Sequence, residues 1–210
     1  MVVTALVLNL IAAHAFGPYT TGQVGYDVSY PNCSARPSGA FGIIGVNDGR
    51  PFTVNPCFSS EYTGSANSAY INTGYAKAYA GSVTAGCKTG GDVAWQIGCS
   101  EAEYSLAHVD AAPSMWWLDV ETANSWATAR TNRSTIQGAI DRFKNTGTPV
   151  GVYSTAAAWR KITGGSFTPA GVAGDWQPAA SCSAAAPFMP GTKVWLTQTI
   201  SNNLDADTAC

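Results

Sequence analysis

Charge is the first thing this 210-residue chain lacks. Only 11% of its residues are Asp, Glu, Lys or Arg, the formal net charge is −2, and no basic run or stripe occurs. Without clustered cations there is no electrostatic grip on nucleic acid or on an anionic lipid surface. Histidine is scarce too, with His14 and His108 the two present, and no cysteine falls in a C-x-x-C pair. That removes the usual zinc-site patterns, and no metal or other cofactor is expected. No G-x-G-x-x-G opens a helix after the first candidate strand, and the glycines of "TGGDVAWQIG" (89–98) lack that spacing. A dinucleotide-binding sheet is therefore disfavoured. No repeat, linker or low-complexity tract divides the chain, so one domain over residues 18–210 is expected.

What is present starts with an apolar run, Val2 to Ala13, ending in Ala13-His14-Ala15. The run is too short for a comfortable membrane span, and its A-x-A end reads as a secretory signal over residues 1–15, cleaved near Ala15. No Lys or Arg precedes it, which either a signal truncated at its start or a buried N-terminal segment would explain. Six cysteines agree with export: Cys33, Cys57, Cys87, Cys99, Cys182 and Cys210. They leave fifteen connectivities open, among which neighbour pairing is expected, each bond clipping one local excursion and the last pinning the C-terminus. The expected protein is secreted, extracellular and monomeric, with no membrane contact after signal cleavage.

Short β-branched runs alternate with helix-like segments, the pattern of an α/β fold with mostly parallel strands. Candidate strands cover 23–29, 40–48, 68–74, 114–121, 149–154, 171–176 and 193–200. The clearest helix starts near Ser134, where Ser134 and Gln137 form a capping-box pattern and Ile136, Ile140 and Phe143 recur at helical spacing. It stops near Asn145 to Gly147. Further helices are expected at 58–67, 100–109 and 155–162. This many strands and helices in so short a chain suggest a small, irregular, TIM-barrel-like (β/α) barrel, with a doubly wound sheet as the rival.

The stretch "MWWLDVET" (115–122) places two acids at the end of an apolar run. Alternation along a strand puts Trp117, Asp119 and Glu121 on one face and Trp116, Leu118 and Val120 on the other. The second set must pack under helices, while the first runs from a large aromatic to two carboxylates at the C-terminal end, where barrel sites form. Carboxylates about 6–7 Å apart along the backbone suit glycosidic cleavage, one protonating the leaving oxygen while another group manages the developing positive charge. Trp117 beside them would be a platform for the apolar face of a sugar. The plainer reading is that Glu121 and Thr122 only begin a loop or cap a helix.

Together, "GYDVS" (25–29), "WLDVE" (117–121) and "GVYS" (151–154) resemble the motifs of glycoside hydrolase family 25, the lysozymes that cut peptidoglycan. The resemblance covers most of residues 23–207 in patches and implies an irregular (β/α) barrel with a cell-wall polysaccharide as substrate. Carried over by position, Glu121 matches the general acid and Asp119 the acid that supports the reaction centre. Asp27 matches a first-strand Asp, and Asp205 in "NLDADTAC" a late Asp expected in a turn, with Asp207 where the family often has Asn. Several acids in one cleft would raise at least one pKa, as a general acid at neutral pH requires. The chain also departs from the pattern. Thr197-Gln198-Thr199 stands where the family commonly has W-Q-Y, with Trp195 on the same strand as the substitute aromatic. Residues 77–113 match nothing in the pattern. A chitinase-like D-x-E barrel fits less well, because the position two before its acid pair is Trp117.

Tyr153 and Tyr30 are further candidates for the cleft wall, with Tyr26 beside the first motif, whereas His108 reads as a helix-end residue. "NCS" (32–34) and "NRS" (132–134) are glycosylation sequons in a host that has the machinery. A second reading keeps the scaffold without catalysis, as a cell-wall or carbohydrate-binding protein. Retention of all four acids favours the enzyme, and loss of the W-Q-Y aromatics favours the binder.

Overall fold

The structure, a computed structural model, describes residues 17–34 and 39–210. The expected signal segment, 1–15, lies outside the described residues. Eight strands close a barrel in sequence order: β1 (Val24–Val28), β2 (Gly42–Gly45), β3 (Ala66–Asn72), β4 (Met115–Asp119), β5 (Val150–Tyr153), β6 (Asp175–Pro178), β7 (Val194–Ser201) and β8 (Leu204–Ala209). Strands β1 to β7 run parallel. Strand β8 is antiparallel to both β7 and β1 and seals the barrel between them. This is the α/β barrel expected of the chain, with one strand the sequence reading placed as a turn.

That strand was hidden by its own composition. Asp205, Asp207 and Ala209 take the inward positions of β8, so the apolar alternation that marks a half-buried strand is missing. The hairpin entering it turns on Asn202 and Asn203 at φ 53° and 62°, the paired left-handed conformation that suits the twist of two antiparallel strands and that Asn tolerates.

Four helices cover the outside: α1 (Phe58–Glu61), α2 (Val93–Ala107), α3 (Ala129–Lys144) and α4 (Ala156–Thr163). The 58–67 helix is a single turn, because residues 66–72 go to β3. Helix α3 starts earlier than Ser134: the Thr128 hydroxyl accepts from the Thr131 amide as the N-cap. Ser134 instead donates to Asp92, itself the N-cap of α2. Helix α2 begins well before residue 100 and buries Ala94, Ile97, Gly98, Cys99, Glu101 and Ala102 around much of its circumference, so no single apolar stripe marks its start. It lies almost backbone to backbone on α3. A methyl on Gly98 would stand 1.8 Å from the Thr135 carbonyl oxygen, and one on Gly138 2.0 Å from that of Trp95.

Alternation along the strands sorts the core into two layers. Val28, Ile44, Ile71, Trp116, Leu118, Val120 and Val152 face outward and pack with Ile136, Ile140, Phe143 and Trp159 of the helices. Phe41, Ile43, Met115, Trp117, Trp176 and Leu196 fill the barrel interior with Tyr19. The disulfides are Cys33–Cys57, Cys87–Cys99 and Cys182–Cys210, the neighbour pairing expected. The second lies within residues 77–113, where short 3₁₀ turns lead into α2.

Candidate active site

At the C-terminal mouth of the barrel a pocket of about 130 Å³ is lined by Asp27, Tyr70, Asp119, Glu121, Tyr153, Trp176, Gln198 and Asp205. All four acids singled out in the sequence meet there, together with Tyr153. Asp119 ends β4 beside Asn72, its ladder partner on β3, whose side-chain amide donates to the Asp119 Oδ2. Asn72 is itself clamped by Asn47, which accepts from its backbone N–H at 3.1 Å and donates to its carbonyl at 3.0 Å. The other carboxylate oxygen of Asp119 is buried without a hydrogen-bond partner among the described residues.

The turn that follows is fastened at every step. The Val120 amide donates to the Tyr153 carbonyl at 2.9 Å, and the Ser154 hydroxyl donates to the Val120 carbonyl at 2.7 Å. The Trp126 indole donates to the Glu121 carbonyl at 2.7 Å, and the Asn124 amide bridges the carbonyls of Asp119 and Thr73. With its backbone pinned, Glu121 presents a half-buried carboxyl to the pocket. Across the mouth, Asp27 and Asp205 are direct ladder partners of β1 and β8. Gln198 donates to the Asp27 Oδ2 at 2.8 Å, and its own carbonyl accepts from the Tyr153 hydroxyl at 2.7 Å.

Among the described residues no cationic side chain lines the pocket, so like charges and desolvation act together on the acids. Burial, then the charges of Glu121 and Asp27, pushes Asp119 well above the ordinary carboxylate range. Burial and Asp205 raise Asp27 to about 7, against the Gln198 hydrogen bond that favours its ionised form. Burial and Asp205 also raise Glu121, and burial raises Asp205. A half-exposed carboxyl that holds its proton beside a buried carboxyl cluster can protonate a leaving oxygen while a neighbouring acid faces developing positive charge.

Three expected sugar contacts stand elsewhere. Trp117 is 0% exposed and belongs to the layer beneath the pocket, where its indole donates to the Tyr19 hydroxyl at 2.8 Å. Its side chain points inward as alternation requires, but two residues of strand rise set it below the cavity. Trp195 sits at the start of β7, at the opposite end of the barrel, with its ring against Gly17 and Gly174. Tyr30 is 48% exposed on the turn after β1 and does not line the pocket. The aromatic walls are Tyr70, Tyr153 and Trp176. Trp176 is the second residue of β6 and Gln198 lies mid-way along β7, so no strand-end position marked them in the sequence. His108 is exposed at the C-cap of α2, a helix-end residue.

Among solved structures, similar barrels include a family GH25 lysozyme from Aspergillus fumigatus (TM-score 0.65, 14% identity, 90% of this chain and 93% of that one). A muramidase from Trichobolus zukalii superposes with a TM-score of 0.62 at 18% identity, covering 89% and 93%. A bacterial lysozyme from Streptomyces coelicolor gives 0.61 at 19%, covering 91% and 93%. No curated protein matches the chain. At such identities the likeness establishes a shared fold. The sequence model of Lysozyme-like protein 1, however, matches residues 62–173, just over half the chain. That span runs from β3 through the Asp119–Glu121 turn to the loop before β6. On this match the chain belongs to the Lysozyme-like protein 1 family, and it carries the barrel of the family 25 lysozymes.

Proposed function

We propose that this chain is a secreted glycoside hydrolase that cleaves the glycan strands of peptidoglycan, with Glu121 as proton donor and Asp119 supporting the reaction centre. The observation that carries the reading is the pocket itself, where Asp27, Asp119, Glu121 and Asp205 converge with no cation among the described residues that line it. Burying like charges is costly, and a glycosidase has a use for it. Desolvation raises the Glu121 pKa and so favours its protonated form, and the surrounding acids wait for the positive charge that develops on the sugar ring. Tyr70, Tyr153 and Trp176 offer apolar ring surface beside the acids. The family match and the muramidase and lysozyme barrels supply the substrate class. The three disulfides favour an oxidising, extracellular setting.

In this reading Glu121 gives its proton to the glycosidic oxygen as the bond breaks. Asp119, fixed by Asn72, faces the reacting carbon or the sugar substituent beside it. Asp27, oriented by Gln198, and Asp205 close the ring of negative potential. Turbidity clearing of purified peptidoglycan, run beside soluble chitin oligomers, tests the proposal. Clearing with release of reducing ends is expected. Cleavage of chitin oligomers alone would replace the substrate, and no cleavage of either with intact binding would leave a binding protein.

A further inference from the structure

The reaction outlined above gives no task to Asp207, yet it is the most enclosed acid of the cluster. Pairing of β8 with β1 sets Gly25 opposite Asp207 and Asp27 opposite Asp205, so Asp27, Asp205 and Asp207 share the inward face. Asp207 is 0% exposed. Its Oδ1 accepts from the Trp176 indole at 2.8 Å, while its Oδ2 is buried with no donor among the described residues and its carboxyl meets that of Asp27. An ionised carboxylate in that position would leave one oxygen unsatisfied against a second negative group, at a cost buried side chains rarely bear. A hydrogen between the two removes both penalties.

We propose that Asp207 stands as a neutral acid whose hydroxyl donates to Asp27, and that it is the positioning residue keeping the Asp27 carboxylate ionised and aimed into the pocket. The proton resides on Asp207 because the donors are unequally shared. Asp27 already receives the Gln198 amide, which favours the ionised form, and it is 8% exposed at the mouth. Asp207 receives only the indole. The groups facing the pair agree. Asp205 on β8 and Asp119 and Glu121 from the β4 side are acids, Tyr19 and Tyr70 are phenols, and β6 and β7 contribute the uncharged Trp176 and Gln198. Burial and the charge of Asp27 hold Asp207 well above the ordinary range. The catalytic consequence rests on the glycosidase reading, whereas the protonation state does not.

Asp207→Asn separates the possibilities. Its carbonyl can accept from the Trp176 indole and its amide can donate to Asp27, so it reproduces a neutral acid and not a carboxylate. With aspartate carboxyls carrying ¹³C, the Asp27 titration midpoint is expected to stay at the wild-type value in Asp207→Asn and to rise in Asp207→Leu, which has no donor. A fall of about one unit or more in Asp207→Asn, as loss of a neighbouring negative charge requires, would overturn the proposal. So would an ionisation step for Asp207 itself near pH 4, the ordinary value of about 3.9. The sign of stability follows from the raised pKa. The native state binds a proton the unfolded chain gives up, so wild-type stability falls as pH rises above the ordinary carboxylate range. Asp207→Asn escapes that loss, and its gain in Tm over wild type should grow with pH; a flat difference counts against the idea. On cell walls, Asp207→Leu should move the acid limb of the rate profile upward, and Asp207→Asn should restore it. If wild-type protein cleaves no glycan, the glycosidase reading fails while the titration still decides Asp207. If Asp207→Leu does not fold, the Asp207→Asn titration decides alone.

Discussion

Replacing Glu121 by Gln is the sharpest perturbation of the proposed chemistry. The side chain keeps its length and its place at the mouth, and the backbone stays pinned through the Trp126 indole and the Ser154 hydroxyl, contacts that involve no Glu121 side-chain atom. What disappears is a transferable proton. General acid catalysis contributes about 10²–10⁴-fold, equivalent to about 3–5 kcal/mol of barrier at about 1.4 kcal/mol per tenfold. Turnover on purified cell walls should fall by that factor while sedimentation with insoluble walls is nearly unchanged. The pH dependence has a defined sign. Wild-type activity should decline as pH rises through the elevated pKa of Glu121, because the donor must be protonated, and the residual rate of Glu121→Gln should lack that limb. The substitution moves stability in the opposite direction from activity. A raised carboxyl pKa makes wild-type stability fall as pH rises, so Glu121→Gln should equal wild type at acid pH and match or slightly exceed it at neutral pH, with solvent screening keeping the gain small at a half-exposed site. Wild-type clearing rates in Glu121→Gln, or loss of activity only in step with loss of folded protein, would refute the assignment.

Three further outcomes are expected. Asp119→Asn should slow cleavage about 10²–10³-fold by removing a carboxylate from beside the developing charge; its Tm should rise relative to wild type as pH increases, because Asp119 is buried and held well above its ordinary pKa, and a Tm loss at neutral pH would contradict this. Replacing Cys87 and Cys99 together by Ala should cost about 2–3 kcal/mol in urea unfolding, from release of a short closed loop, with the rate per folded molecule unchanged because the bond lies away from the pocket. Gly138→Ala should lower the free energy of urea unfolding by about 1–3 kcal/mol despite better helix propensity, because the added methyl meets the Trp95 carbonyl at 2.0 Å; an unchanged free energy would show that α2 and α3 can part without cost.

The barrel and its acids were legible in the sequence to different depths, for identifiable reasons. Strand β4 was legible because Trp116, Leu118 and Val120 are apolar without exception, and its period of two aimed Asp119 inward. The same period misled on Trp117. A shared face says that two side chains point the same way, not that they lie at the same depth, and Trp117 is a layer lower, among Tyr19, Trp176 and Trp195. Strand β8 was illegible because two of its inward side chains are acids, and the buried one, Asp207, finds its partners on β1 and β6, both distant in sequence. Tyr70 was overlooked for a related reason: it reads as one more aromatic of a buried strand, and only closure of the barrel brings it beside Trp176.

The order in which the strands close also bears on when the site can exist. β1, near the start of the chain, has β2 on one side and waits for β8, the last strand, on the other. Contacts spanning so much sequence form late, after the loop-closure entropy between them has been overcome. Until then the β1 edge is open, Asp27 lacks both Asp205 opposite and Asp207 beneath, and Cys182 has no Cys210 to join. During synthesis, which delivers the N-terminal part first, the Asp119–Glu121 turn can form on its own strand, but the pocket cannot. Assembly of the acid ring is thereby tied to completion of the fold, and the final strand acts as the latch on both.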